Sequence, residues 1–474
     1  MKKISILFIA LMTLFISSCD NKFEEVNTDP NQPTAVPAHL LLGNIIRVNQ
    51  NTIYGMQQGG DMGMCWAQHV SKVQYNDEER YIPRRGAIDL IWTNLYVAVI
   101  SDAKSMFVLA DAEGNDNLKG ISLVLQANAF QILTDLYGPV PFDEVFVTGI
   151  TKPRYNSQEQ VYDGLIGMLT QADLLLASNT GTVPSTSDLI YGGDAAKWRK
   201  LANSLKFKAL MRISARRNVS AQLQALVNAG NLMSSNSDSA QLTYLIAEPD
   251  ANPIYETING NSVRKEYKIS SVLVSKMSGL SDTRLNVYAT PISGGGIVGN
   301  VPGEEHPGNY AGYSGLGTFY LNPTLPGVIL SNAQVQFLLA EAANEGYISG
   351  GVPAALNYYD NGIASSYAFN GIAASAAAFI AQPNVTFTNQ ADARVKIGEQ
   401  SWIALYGQGF EAWAEWRRTG YPALSPVVNA AESSIPSRLY YSSTAISLNR
   451  NNYLSAVATL TGGDELTSPI WWMN

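Results

Sequence analysis

The chain has 474 residues, 46% of them hydrophobic, with 31 basic against 39 acidic side chains and a formal net charge of −8. That length can bury a large core, as two or three ordinary domains or as one repeat-like body. An acidic chain without a basic cluster is a poor partner for nucleic acid or anionic lipid, and two cysteines exclude both a disulfide framework and a Cys/His metal cluster.

The front end is a secretory signal. Met1-Lys2-Lys3 is basic, Ile4–Ile16 is apolar apart from Ser5 and Thr13, and Ser17-Ser18 precede Cys19. The apolar run is shorter than the roughly 20 residues needed to cross ~30 Å of hydrocarbon. A Cys directly after small residues turns a cleaved leader into an anchor, because two or more acyl chains hold a protein firmly where one does not. Residues 1–18 are therefore expected to be removed and Cys19 to be lipidated; the alternative is an ordinary leader with a chance Cys. Residues 19–31 are polar and aperiodic and read as a tether, leaving 32–474 as a single body. With Cys19 lipidated, Cys65 has no partner. It lies in the apolar stretch Met62-Gly-Met-Cys-Trp66 and reads as a small buried hydrophobe.

Helical periodicity then sets in. Ala87–Ala110 places Ile88, Ile91, Trp92, Leu95, Tyr96 and Val99 on one face. Gly120–Tyr137 ends at Gly138-Pro139. Ser157–Ala177 opens with Ser157-Gln-Glu-Gln160, a capping box. Asp194–Arg217 is amphipathic, with basic residues at its end. Asn332–Glu345, Val352–Phe369 and Asp392–Arg418 complete the set. The predicted fold is mainly α, with tetratricopeptide-like helical pairs forming a scaffold over about 86–217 and 332–420. Ala342, Ala354 and Tyr358 carry the small–small–aromatic spacing of such a pair. Residues 241–330 are rich in Gly, Asn, Pro and Tyr, with one helix near 270–279. Long irregular loops and short strands are expected there, carrying the binding face.

Catalytic signatures are sparse. His39, His69 and His306 are scattered and read as ordinary residues. Gly294-Gly-Gly296-Ile-Val-Gly299 matches a dinucleotide fingerprint literally but has no helix after it. Asp77-Glu78-Glu79 is an acidic cluster, yet nothing singles out a catalytic pair. No enzyme activity, cofactor or metal is expected. Aromatic residues in polar, Gly-rich surroundings remain: Trp66, Tyr75, Tyr81, Tyr255, Tyr310, Tyr313, Phe319 and Tyr320. Sugar rings stack their CH faces on such planes, and local packing of loop on scaffold is the competing use of the same rings.

Ordered blocks run along nearly the whole mature chain. They are Phe23-Glu-Glu-Val-Asn27-Thr-Asp29-Pro30-Asn31, Leu133-Thr-Asp135-Leu-Tyr137-Gly138-Pro-Val-Pro141-Phe142, Tyr191-Gly-Gly-Asp194 through Trp198 to Leu205, Met211-Arg212-Ile213-Ser214, Asp282-Thr-Arg284, Ala340-Glu341-Ala342-Ala343, Gly409-Phe-Glu-Ala-Trp413-Ala-Glu-Trp416-Arg417-Arg418-Thr-Gly420-Tyr421-Pro422, Ile435-Pro436-Ser-Arg438 and Trp471-Trp472. Together they resemble the SusD/RagB family of nutrient-binding outer-membrane lipoproteins, and its SusD-like second subgroup in particular. The resemblance implies a lipid-anchored protein on the outer face of the outer membrane, with Asp20, Glu24 and Glu25 as an export signal. It further implies capture of a glycan or peptide and delivery to a SusC-like TonB-dependent transporter, without catalysis. A surface glycoside hydrolase and a protein-interaction scaffold are the other readings. The blocks read as scaffold, so the ligand residues must lie outside them.

Overall fold

The computed structural model describes residues 36–473. The leader, Cys19, the tether and the acidic residues beside it lie outside the described residues.

Apolar spacing dictates most of the helices. Helix α1 (His39–Tyr54), not foreseen from the sequence, buries Leu42, Ile45, Ile46 and Asn49, one face of a 3.6-residue helix. A π-helical segment, Met56–Met64, comes next, then strand β1 (Val70–Lys72). The predicted helix 87–110 exists with all six named apolar residues buried, but it is built in three pieces. These are α2 (Arg85–Thr93), a π-helical stretch (Asn94–Ser101) and α3 (Asp102–Ala112). The wider π turns let Leu95, Tyr96, Val99 and Ile100 all face inward. Helix α4 (Asp116–Tyr137) starts four residues before Gly120, because Asn115 caps it by accepting from the Leu118 N–H. After β2 (Val140–Pro141) and β3 (Tyr155–Asn156), α5 (Gln158–Ser178) begins with the expected capping box between Ser157 and Gln160. Helix α6 (Ala195–Arg212) is capped by Asp194 and stops at Arg212, short of the expected Arg217. Helix α7 (Ser220–Ala229) and β4 (Ala240–Leu242) complete this half.

The region expected to be loop-rich holds α8 (Pro253–Ile258), β5 (Tyr267–Ile269), α9 (Ser271–Gly279), α10 (Leu285–Tyr288) and β6 (Gly327–Leu330), with irregular chain between them. Then come α11 (Asn332–Asn344) and α12 (Gly351–Phe369), a packed pair as expected. The expected register of that pair is off by one on its second helix. Ala355 and Tyr359 are buried and Ala354 and Tyr358 are not, because the Tyr359 hydroxyl reaches inward to the Val385 carbonyl at 3.0 Å. After α13 (Ala376–Ile380), the expected helix 392–418 is two helices, α14 (Gln390–Ala404) and α15 (Gly409–Thr419). Gly407 at φ +87° breaks it, a conformation no helix accommodates. The break lets the start of α15 lie directly on the first π segment: a Cβ at Gly63 would sit 2.5 Å from the Gly409 backbone. Helices α16 (Ser443–Leu448) and α17 (Arg450–Val457) close the chain.

Six of the sequence blocks, those at 133–142, 211–214, 340–343, 409–422, 435–438 and 471–472, converge on one buried ionic core. Asp135 accepts from Trp472 Nε1 at 2.8 Å and from the Tyr162 hydroxyl at 2.5 Å. Arg417 donates to the Asp135 and Ser437 carbonyls. Arg212, fully buried, pairs with Glu411 at 2.6 Å. Arg418 holds Glu341 and Glu415, and Arg438 caps the end of α4 at the Tyr137 carbonyl. Removing one partner from such a cluster strands a buried charge and costs about 3–5 kcal/mol. These six blocks thus each supply a residue to the scaffold, which fixes where the strands and loops hang.

Candidate functional site

Strand β1 pairs antiparallel with β5, Lys72 opposite Tyr267, and the Val73 N–H still donates to the Glu266 carbonyl at 3.0 Å. Beyond that point the two chains diverge. Residues 74–78 leave on one side and 263–266 on the other. A third segment is tied to the first: the His306 N–H donates to the Val73 carbonyl at 2.7 Å, and the Tyr310 hydroxyl donates to Gln74 Oε1 at 2.6 Å. Between them lies an open cleft of about 640 Å³, lined by Lys72, Tyr75, Asp77, Glu78, Arg84, Val263, Arg264, Lys265, Glu266 and Tyr310. That size suits a small organic ligand. A separate void of about 40 Å³ beside Asp135, Lys208 and Glu411 holds little more than a water.

The floor of the cleft is ionic and closed. Asp61, carried on the π segment that Gly63 seats against α15, is fully buried. Lys72 Nζ lies 3.2 Å from Asp61 and 3.1 Å from Glu78, and the Tyr267 hydroxyl donates to Asp61 at 2.8 Å. Arg84 completes the group on both carboxylates, 2.9 Å from Asp61 and in direct contact with Glu78. Burial pulls the Lys72 pKa down, but Asp61 and Glu78 outweigh it and hold that pKa above the ordinary value. Behind this floor Glu79 is buried with one carboxylate oxygen unpartnered, and burial pushes its carboxyl up to about 7. Its other oxygen accepts from the Lys72 N–H and Asn76 Nδ2, both at 3.0 Å, which fixes the turn that carries Tyr75.

Tyr75 is 58% exposed and sits at φ +59°. Val263, also exposed and also on the cleft, sits at φ +45°. The left-handed region costs an L-residue roughly 1–2 kcal/mol, and a β-branched residue is an outlier there. Two strained, solvent-facing residues on one cleft are the kind of strain that clusters at binding sites. The Arg264 guanidinium lies 5.7 Å from the Tyr75 ring centroid, near the outer limit of a cation–π contact.

Of the eight aromatic residues expected to contact ligand, the cleft brings together Tyr75 and Tyr310. Tyr313 is half-buried and packs on His306, on the loop that forms the third wall. Trp66, Tyr81 and Tyr320 are corrected to core residues. Trp66 donates to the Glu78 carbonyl and packs edge-on against Tyr81 and Trp413. The Tyr81 hydroxyl accepts from the Val427 N–H. Tyr320 donates to Asn370 and packs against Tyr288 and Tyr406. Phe319 is half-buried against Tyr320 and Phe369, and Tyr255 is half-buried on α8, neither in the cleft. Cys65 is buried as expected. His69 is also fully buried, against Trp402 and Tyr406. Of the cleft's charged residues, Asp77 and Glu78 stood out only as part of an acidic cluster, and Lys72, Arg84, Arg264, Lys265 and Glu266 were not foreseen, although Arg264-Lys265-Glu266-Tyr267-Lys268 is a dense charged run inside an otherwise Gly/Asn-rich region. Among the described residues no group of His, Cys, Asp and Glu is placed to hold a metal ion, and no helix is long and apolar enough to cross a membrane.

Residues 30–442 match the SusD-like family, second subgroup, described as starch-binding and associating with the outer membrane. Solved structures share the fold over most of the chain. A chitin-binding protein is 25% identical with a TM-score of 0.80, covering 91% of this chain and 99% of its own. A SusD-like protein from Bacteroides thetaiotaomicron is 26% identical with a TM-score of 0.77, covering 92% and 99%. A chitin-binding SusD homolog from Flavobacterium johnsoniae is 22% identical with a TM-score of 0.79, covering 92% and 97%. No curated protein matches the sequence.

Proposed function

The chain belongs to the SusD-like family, and from that premise we propose that it captures a glycan through the cleft at the open end of the β1–β5 ladder. The observation that carries this reading is Tyr75, an aromatic ring held in a strained conformation and presented to solvent over a cleft of ligand size. A sugar ring stacks on Tyr75, while Asp77, Arg84, Lys265 and the Tyr310 hydroxyl supply polar contacts at the edges. The family's association with the outer membrane and the chitin binding of two proteins of the same fold support a carbohydrate over a peptide.

In the same reading Cys19 anchors the protein by lipid on the outer face of the outer membrane. The folded body of residues 32–474 hands its ligand to a SusC-like TonB-dependent transporter. It binds and releases without turnover.

Isothermal titration of the full chain against panels of oligosaccharides and peptides tests the proposal. Saturable binding of one glycan class, weakened by Tyr75→Ala, is the expected result. Absence of any glycan binding, or turnover of a chromogenic glycoside, overturns it.

A further inference from the structure

We propose, resting on the reading of the cleft as a glycan site, that it selects glycans bearing negative charge, as uronate carboxylates or sulfate esters. The chain as a whole is acidic, at −8, so an anionic ligand would be repelled unless the site itself reversed the local sign. Counted with Asp61 the group is balanced, Lys72, Arg84, Arg264 and Lys265 against Asp61, Asp77, Glu78 and Glu266, and the sign is reversed only at the open face, because three of those acids are turned inward. The Glu78 and Glu266 side chains are only 7% and 4% exposed, and their carboxylates are bound by Lys72, Arg84 and Arg264. Asp61 and Lys72 are both fully buried and neutralise one another. What remains open to solvent is Arg84 at 46%, Arg264 at 32% and exposed Lys265, against the single exposed carboxylate of Asp77.

Each of these cations keeps donors for a ligand. Arg84 spends Nε and Nη2 on Glu78 and Asp61, which leaves Nη1. Arg264 spends Nε and Nη2 on one oxygen of Glu266, which leaves its Nη1 as well. Lys265 forms no ion pair among the described residues. Arg264 also sits over the Tyr75 ring, 5.7 Å from its centroid. A sugar stacked on Tyr75 therefore places its ring substituents beside Arg264 and Lys265. A guanidinium edge and a neighbouring ammonium suit a carboxylate or sulfate oxygen better than a hydroxyl.

The test uses matched pairs that differ only in charge: oligogalacturonide against its methyl ester, and chondroitin sulfate against its desulfated form, with chitohexaose as a neutral reference. Titrations of the full chain are run at low and at 0.5 M salt. At low salt at least one charged member is expected to bind tenfold or more tighter than its partner, and the responding pair identifies carboxylate or sulfate. The gap is expected to shrink several-fold at 0.5 M salt and several-fold in Lys265→Gln, whose exposed side chain forms no ion pair in the fold, Arg84 and Arg264 holding the remainder. Equal binding of charged and neutral members, or a gap left undiminished by both salt and Lys265→Gln, overturns the charge selection while leaving glycan capture standing. Failure of every glycan, chitohexaose included, overturns both.

Discussion

Replacing Tyr75 by Ala removes the ring proposed to meet the sugar. A Tyr side chain offers about 150–250 Å², of which 58% is open here. A sugar covering about half of that open area removes roughly 40–70 Å² from water. At about 25 cal/mol per Å² this is worth about 1–2 kcal/mol, or roughly five- to thirtyfold in Kd. The ring supports little of the fold, so stability should not change because of its loss. The backbone at φ +59° gives a second handle. Ala keeps the left-handed strain of roughly 1–2 kcal/mol, whereas Gly relieves it but costs about 0.5–1 kcal/mol in unfolded-chain entropy. Tyr75→Gly should therefore be about 0.5–1 kcal/mol more stable than Tyr75→Ala and bind equally poorly. Isothermal titration with the best glycan of the panel and urea unfolding read the two effects separately. Affinity within twofold of the unmodified chain in both variants would show that the ligand does not sit on this ring. A large loss of stability in both would show that the ring packs.

Tyr81→Phe strands the buried Val427 N–H that the hydroxyl accepts from, and should cost about 1–3 kcal/mol in urea unfolding with glycan affinity unchanged. Burial raises Glu79 from 4.5 to about 7, so the fold holds a proton there that the unfolded chain has released, and this contribution to stability falls as pH rises from 4.5 to 7. Glu79→Gln removes that slope, and its stability relative to the unmodified chain should climb across the window by roughly 3 kcal/mol. Burial lowers His69 from 6.5 to about 3, which gives the opposite slope: its contribution rises with pH between 3 and 6.5, and His69→Phe should flatten that rise in the same assay. Cys19→Ala should abolish incorporation of labelled palmitate and end growth on the captured glycan while titrated affinity stays unchanged; growth that persists would refute the anchor.

The scaffold was readable because its signals are local. Apolar residues at helical spacing, Ser157 with Gln160 and Asp194 before Ala195 each carry their message within a few residues. Where the reading slipped, the deciding contact was distant. The helix expected across 392–418 breaks at Gly407 so that α15 can lie on Gly63, more than 340 residues earlier in the chain. The binding aromatics were harder still, since polar neighbours made Tyr81 and Tyr320 look like loop residues. Tyr81 is drawn inward by Trp66 and by an amide at Val427, and Tyr320 by Tyr288 and Tyr406. Trp66 shares its apolar stretch with Cys65 and could have been read as core by the same reasoning.

The sequence blocks that carry the family resemblance do not include the residues that face the cleft. Asp135, Arg212, Arg284, Glu341, Glu411, Arg417 and Arg438 come from the blocks, and each is occupied by a buried partner. Lys72, Tyr75, Asp77, Arg84, Arg264, Lys265 and Tyr310 come from none of them. Substituting a block residue costs fold stability, while substituting Tyr75 or Lys265 costs the fold little and changes what the cleft can hold. A structure 25% identical can therefore share this architecture almost completely and still bind a different sugar. On the proposed reading, the charge of the ligand this chain takes is set by the handful of side chains at the end of the β1–β5 ladder.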